Sequence, residues 1–356
     1  MVRMTIAGHQ IGEDQPLFVV AELGLTHGGS RARALELVDA AARAGASAIK
    51  LQTLTASRLV LPTAPAPAHV SADSMQEFFG RFELSAADHA AIAARAHRHG
   101  LAFLSTPLDE FAVEMLESAN CDAYKIASGD ITYERLIKRA AATRKPLLIS
   151  TGMSAIDEIA DAVGWARQAG AADIVLLHCV SAYPVPQGEQ NLRALTTLAR
   201  LFGVPVGLSD HGTEPLDVAL AVALGASVYE KHMRLDNQTD DVDEAVSLPE
   251  GAFAAMVSTA RRARASLGHG EKVCQGAEAA NRDLSRRGLY AARALRAGEP
   301  ITPDAVIALR PATALAPSRW QDLVGETMRR DLAAGEPFLP GDLSMARFTR
   351  GLRNVS

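Results

Sequence analysis

The sequence lacks most of the features that would place it in a specialised class. It has three cysteines (Cys121, Cys179 and Cys274), odd in number, widely spaced and without a CxxC pair. That excludes a disulfide scaffold and a clustered-thiolate zinc site, and it suits free thiols in a reducing compartment. No apolar run approaches the ~20 residues of a membrane-spanning helix. The opening MVRMTIAGHQIGEDQP carries no apolar stretch of signal-peptide length, so a cytoplasmic location is the expectation. Nor is there a basic excess. A formal net charge of −5 argues against a general nucleic-acid binder, yet leaves room for a local cationic pocket.

What is present is alternation. The chain has 356 residues, 48% apolar and 22% charged, an ordinary globular balance. Strand-length apolar runs recur at 17–22, 47–52, 101–105, 123–127, 146–150, 174–179, 205–209 and 228–232. Helical periods follow at 31–44, 86–99, 110–118, 156–168, 191–202, 214–224 and 250–267. Such alternation implies parallel βαβ units. Eight of them favour an α/β fold closed as a (β/α)₈ TIM barrel, which takes about 250 residues. Gly45, Gly100, Gly170, Gly203 and Gly225 stand where helix C-caps are expected. The expected organisation is an N-terminal hairpin (1–15), the barrel (16–270), a linker (271–285), a small mainly β domain (286–350) and a tail (351–356). The Pro/Ala segment 62–69 is expected to be a surface excursion.

In a barrel of this kind functional groups gather at the C-terminal strand ends, and that is where the polar residues fall. Glu22 ends the first run, Lys50 and Gln52 the second, and Thr106 follows the third. Lys125 and Ser128 come with the fourth, Ser150 and Thr151 with the fifth, and Ser181 and Tyr183 with the sixth. Ser209 and His211 mark the seventh, Glu230 and His232 the eighth. Period-two alternation places Lys50 with Gln52, Ser209 with His211, and Glu230 with His232 on common faces. A lysine in a barrel strand is costly to bury without a partner. A shared anion, phosphate or carboxylate, would account for Lys50 and Lys125, helped by the hydroxyls of Ser128, Ser150 and Thr151. Among the ten histidines, His89, His97 and His99 are expected on a solvated helix face, and His178 as a satisfied core residue. His27, just past the first run, is open. His211 and His232 end adjacent strands about 4.8 Å apart. They are either a hydrogen-bonded pair or two ligands of one Mn²⁺, Fe²⁺, Co²⁺ or Zn²⁺ ion.

At these residues the chain resembles the sialic acid (N-acetylneuraminate) synthases and their legionaminic and pseudaminic acid-making relatives. The stretches are AELGLTHGG (21–29), GASAIKLQT (45–53), FLSTPLDE (103–110), YKIASGDI (124–131), LISTGMS (148–154), LHCVSAYPVP (177–186), VGLSDHG (206–212) and YEKHMRLD (229–236). RRGLYAARALRAGEPITPDAVIALRP (286–311) is similar to the antifreeze-like (SAF) domain of that family. The resemblance implies a metal, typically Mn²⁺ with Mg²⁺ or Co²⁺ as alternatives, held by His211 and His232. It implies phosphoenolpyruvate contacts at Lys50, Thr106, Lys125, Ser128, Ser150, Ser181, Tyr183 and Ser209. Glu22 takes the position of the active-site glutamate, and Gln52 and Asp243 fall on the sugar and metal sides. Arg310 matches an arginine that reaches into the partner's barrel, which implies a domain-swapped homodimer.

The implied reaction is condensation of phosphoenolpyruvate with an N-acylated amino-sugar aldehyde, to a nine-carbon 2-keto-3-deoxy sugar acid and phosphate. The family pattern is not kept everywhere. Thr26 and Gly28 replace asparagines, Leu108 replaces phenylalanine, ITYERL follows SGD, and Ala312 and Ala314 replace glycines. Two rival readings remain: a Schiff-base 2-keto acid aldolase using Lys50 or Lys125, and a catalytically silent sugar-acid binding protein.

Overall fold

The computed structural model describes residues 3–65, 72–238 and 242–344. The tail at 351–356 lies outside them, as do residues 345–350 of the small domain and part of the 62–69 excursion. The chain divides into two compact units, Met1–Gly268 and His269–Ser356.

The first unit opens with a hairpin, Met4–Ile6 against His9–Ile11. Eight parallel strands follow: β1 (Phe18–Gly24), β2 (Ala48–Thr53), β3 (Ala102–Pro107), β4 (Ala123–Ile126), β5 (Leu147–Ser150), β6 (Ile174–Cys179), β7 (Val206–Asp210) and β8 (Val228–Arg234). Each pairs with the next, and β8 also pairs with β1, so the sheet closes into a barrel. A two-residue strand, Leu248–Pro249, joins β8 in parallel. The strands read as near-continuous apolar runs because both faces are covered.

Helix starts carry the expected caps. Ser30 accepts from Arg33 N ahead of Arg31–Arg43, Ser85 and Asp88 form a capping box ahead of Ala86–Arg98, and Asp109 caps Glu110–Ser118. Gly203 ends Ala194–Phe202 in the left-handed conformation (φ 63°), and the other four capping glycines also have positive φ. Two helices are shorter than their periods suggested: Ala194–Phe202 and Asp217–Ala223 begin only after turns at 191–193 and 214–216. Glu134–Ala141 is a helix that the periodicity passed over, because two turns of ERLIKRAA are too short and too charged to stand out. Glu250–Leu267 ends the unit. No helix among the described residues is long and apolar enough to cross a membrane.

Inward positions change character along each strand. Val20, Ala48, Ala102, Leu104, Ala123, Leu148, Val175, Leu177 and Val228 pack with Phe18 and the hairpin residues Met4, Ile6 and Ile11 into one apolar cluster. The next inward positions, towards the C-terminal ends, are Glu22, Lys50, Thr106, Lys125, Ser150, Cys179 and Glu230. The barrel is thus a filled core below and a polar mouth above. A second, larger core lies between the outward strand faces and the helices.

The second unit has its own core of Leu289, Leu295, Ile301, Leu323, Phe338 and neighbours. Gly288–Ala291 pairs antiparallel with Val306–Leu309, and among the described residues further pairing is by single bridges such as Tyr290 to Pro337 and Pro300 to Thr327. The expected linker carries secondary structure of its own. Residues 276–285 are a 3₁₀ turn (Gly276–Glu278) and a helix (Ala279–Ser285) within this unit, consistent with the helix-forming composition AEAANRDL.

Gly207 sits where β7 meets β8 inside the barrel. A Cβ there would lie 2.3 Å from the Val228 carbonyl oxygen and 2.7 Å from Leu177 Cδ2. Gly207→Ala should destabilise the fold by about 1–3 kcal/mol through overpacking. A lowered denaturant midpoint with unchanged m-value would register it, and a parent-like midpoint would contradict it.

Candidate active site

The barrel mouth encloses a cavity of about 420 Å³. Twelve of the residues singled out from sequence line it: Glu22, Lys50, Gln52, Thr106, Lys125, Ser128, Ser150, Ser181, Tyr183, Ser209, His211 and His232. Each comes from a strand end or the loop after it, so eight separate segments converge. Asp243 stands just beside them, its Oδ2 3.5 Å from His232 Nδ1. Arg310 belongs to the second unit, exposed directly after Val306–Leu309.

The floor is a buried charge cluster. Lys50 Nζ lies 2.6 Å from Glu22 Oε2 and 3.8 Å from Glu230 Oε1, and it donates to Thr106 Oγ1 at 3.0 Å. Lys125 Nζ lies 3.5 Å from the same Glu230 oxygen, to which Ser209 Oγ donates at 2.9 Å. Gln52 Nε2 donates to Glu22 Oε1 at 3.2 Å. This corrects the expectation of lysines lacking protein partners. Both are paired with carboxylates, and an anionic ligand would have to share or displace those contacts.

Burial raises the Glu22 carboxyl above its ordinary value despite the opposing charge of Lys50. Burial would raise Glu230 as well, but the charges of Lys125 and Lys50 and the Ser209 hydrogen bond hold it below the ordinary range. Lys50 is held high by Glu22 and Glu230 against the cost of burial. Lys125, with Glu230 alone close by and Lys50 repelling it, is lowered by burial.

The hydroxyls divide. Ser128 Oγ accepts from Gly152 N at 3.0 Å, and Ser150 Oγ is buried without a partner among the described residues. A Cβ at Gly152 would come within 2.4 Å of Ser181 Oγ and 2.8 Å of Ser128 Oγ, so glycine lets these two hydroxyls approach. Thr151 corrects its expectation: its Oγ1 donates to the Leu177 carbonyl at 3.0 Å and does not line the cavity.

The histidine rings His211 and His232 lie 5.4 Å apart, centroid to centroid, and Tyr183 stacks on His211 at 4.1 Å. His211 Nδ1 is 3.1 Å from the Val180 carbonyl, which can only accept, so Nδ1 carries the proton and Nε2 keeps its lone pair. His232 Nδ1 is buried without a hydrogen-bond partner among the described residues. Burial lowers both histidines below their ordinary value, and for His232 the nearby His211 and Lys50 add to it. Two neutral imidazoles, one oriented by a backbone carbonyl, suit a divalent ion. Glu22 Oε1, Asp243 Oδ2 and His232 Cε1 all converge within 3.5 Å of where a Cβ on Gly24 would sit. Among the described residues no three histidine, cysteine or carboxylate side chains form a group that could hold a metal ion by themselves.

Among the other histidines, His89 departs from expectation. His89 is buried rather than solvated, donating from Nδ1 to the Ser85 carbonyl and facing Thr53 Oγ1 at 2.9 Å through Nε2. His178 donates to the Gln190 carbonyl at 2.7 Å, as a satisfied core histidine should. His27 accepts from Gly29 N at 3.1 Å and is fully buried.

Sequence reasoning left Glu230 without a role, although the E-x-H spacing before His232 aimed it at the mouth. It also did not single out Cys179, Ala127, Gly129 or the exposed rim residue Met153, which line the cavity as well. Of the positions that depart from the family pattern, Leu108 lines the cavity, whereas Thr26, Gly28 and Tyr133 do not.

The NeuB family matches residues 37–272, and a SAF domain matches 286–344. The chain belongs to the NeuB family. N,N'-diacetyllegionaminic acid synthase of Legionella pneumophila is 35% identical, over 92% of this chain and 95% of that one. Pseudaminic acid synthase of Helicobacter pylori is 33% identical, over 92% and 98%. Among solved structures, the N-acetylneuraminic acid synthetase of Leptospira borgpetersenii, crystallised with citrate, is 31% identical with a TM-score of 0.72, covering 79% of this chain and 95% of that one. This NeuB-family chain is therefore an enzyme of the nonulosonate synthase group, a barrel followed by a SAF domain.

Glu230 joins both lysines to the acidic side of the mouth. Glu230→Gln leaves Lys125 without its carboxylate, and breaking such a buried pair costs about 3–5 kcal/mol. Because Glu230 lies below its ordinary value of 4.5 in the fold, its contribution is present above that pH and fades as pH falls through the lowered value. Chemical denaturation should show the loss at neutral pH and a flatter acid limb in the variant. Parallel acid limbs would contradict the pairing.

Proposed function

We propose that this enzyme condenses phosphoenolpyruvate with an N-acylated amino-sugar aldehyde, either N-acetylmannosamine or a 2,4-diacetamido hexose. The products would be a nine-carbon 2-keto-3-deoxy sugar acid and phosphate. The observation that carries the reading is a floor of two lysines (Lys50, Lys125) against Glu22 and Glu230, ringed by hydroxyls and set beside two neutral histidines, in a NeuB-family barrel.

On this reading Lys50 and Lys125 hold the phosphate and carboxylate of phosphoenolpyruvate, with Thr106, Ser128, Ser150 and Ser209 supplying hydrogen bonds. Glu230 keeps the lysines charged before the anion enters. C3 attacks the aldehyde carbon, water adds at C2, and phosphate leaves the tetrahedral intermediate as the keto group forms. Glu22, inclined by burial to keep its proton, gives it to the developing alkoxide or recovers one from the attacking water. Gln52 orients Glu22 from the sugar side, Asp243 stands on the metal side beside His232, and Ser181 and Tyr183 join the phosphoenolpyruvate contacts. His211 and His232 would hold a divalent ion, Mn²⁺ on family grounds, which supplies Lewis-acid polarisation of the aldehyde. Arg310 would reach the barrel of a second copy in a domain-swapped homodimer.

One observation favours a second reading. Burial lowers Lys125, the property that activates a Schiff-base lysine. Phosphate release from phosphoenolpyruvate, measured over a panel of aldoses with Mn²⁺, decides between them. Release with an N-acylated amino sugar, abolished by a chelator and restored by Mn²⁺, is the expected result. Borohydride trapping of a 2-keto acid on Lys125 without metal would favour the aldolase, and silence across the panel would favour a binding protein. Glu22→Gln should lower kcat by about 10²–10⁴-fold, the usual worth of general acid–base catalysis. Its affinity for phosphoenolpyruvate should stay within a few-fold of the parent's.

A further inference from the structure

Behind the two histidines, on the outward faces of β7 and β8, lies a buried polar cluster that the chemistry above leaves unused. Lys231 is directly opposite Asp210 across the strand pair, and its Nζ lies 2.9 Å from Asp210 Oδ2. Lys231 Nζ also donates to the carbonyls of Asp210, at 3.3 Å, and of Gly212. Asp210 Oδ1 accepts from Gly212 N at 2.7 Å, and Tyr229 OH donates to Oδ2 at 2.6 Å. Asp210, Lys231 and Tyr229 are all buried.

Stability alone is a poor explanation for this cluster. Elsewhere Ile49, Leu51, Phe103, Ile149 and Leu176 fill outward strand positions. Leu248, Ala252 and Met256 line the small cavity of about 210 Å³ beside the pair. An apolar pair of similar volume in such a layer is commonly as stable as an ion pair. What an apolar pair cannot do is hold the main chain. The carbonyl of Asp210 and both polar groups of Gly212 flank His211 in sequence, and all three are held by these two side chains. Lys231 itself lies between Glu230 and His232.

We propose that the Lys231–Asp210 pair, braced by Tyr229, is a positioning device that fixes the backbone on either side of His211 and sets its ring against His232. The metal consequence rests on the reading of these histidines as ligands given above. The pair touches neither substrate nor ion, and it acts through the two imidazoles.

The test replaces both partners, Asp210→Leu with Lys231→Met, so that no buried charge is orphaned. The double variant should melt at a lower temperature than the parent, since three main-chain groups lose their partners, and while folded should bind Mn²⁺ about 10–100-fold more weakly by calorimetry, the usual cost of losing a group that orients a ligand. Histidine-selective ¹⁵N NMR of the metal-free protein supplies a second readout. The single Nδ1–H tautomer of His211 in the parent should give way to shifted or mixed signals. Unchanged His211 and His232 signals in a folded variant would overturn the proposal. Shifted signals in the absence of any Mn²⁺ binding by the parent would leave positioning standing and overturn the metal reading instead. If the double variant does not fold, Tyr229→Phe keeps the ring and should weaken Mn²⁺ binding by roughly threefold, one hydrogen bond's worth. An unchanged affinity there, with unchanged histidine signals, would also overturn the proposal.

Discussion

Two lysines and two glutamates buried together in a closed barrel are the constraint on which the rest of this structure depends. An isolated buried charge is too costly to keep, and even a pair survives only with good geometry and further hydrogen bonds. Glu22, Lys50, Glu230 and Lys125 meet that condition as a chain of lysine–carboxyl contacts, with Thr106, Ser209 and Gln52 completing their hydrogen bonds. The arrangement is stable as it stands and still able to exchange partners.

The barrel makes that cluster feasible. Its lower interior is filled by apolar residues and the N-terminal hairpin. Along a single strand the inward side chain passes from Ala48 to Lys50 to Gln52, from dry core to charge to cavity rim, in four residues. Neighbouring strands repeat the gradient at matching heights. The polar layer is therefore a property of register, and a slip of one residue would turn every charged group outward.

The histidines add a second environment within a few ångströms of the first. Burial keeps both neutral, the carbonyl of Val180 orients one of them, and Tyr183 covers it. Charged lysine–glutamate contacts and two neutral imidazoles thus share one mouth. That division matches a reaction in which an anionic nucleophile meets a neutral aldehyde. The outward Lys231–Asp210 pair holds the backbone on either side of His211 from the opposite face of β7 and β8.

Much of this was legible in the sequence because strands and helices announce themselves by period. The eight apolar runs, the capping glycines and the polar residues at strand ends placed Lys50, Lys125, His211 and His232 at one mouth, and ordered motifs tied them to a family. Partnership was not legible. Nothing local says that Glu230 serves two lysines from strands β2 and β4, that Thr151 turns to the Leu177 carbonyl, or that His89 is buried against Thr53. Nor did periodicity reveal the short charged helix Glu134–Ala141. The sequence by itself determined which groups line the barrel mouth, since alternation along a strand is a local rule. Only the tertiary structure decided which of them pair, because closing the sheet sets distances between residues that no spacing along the chain encodes.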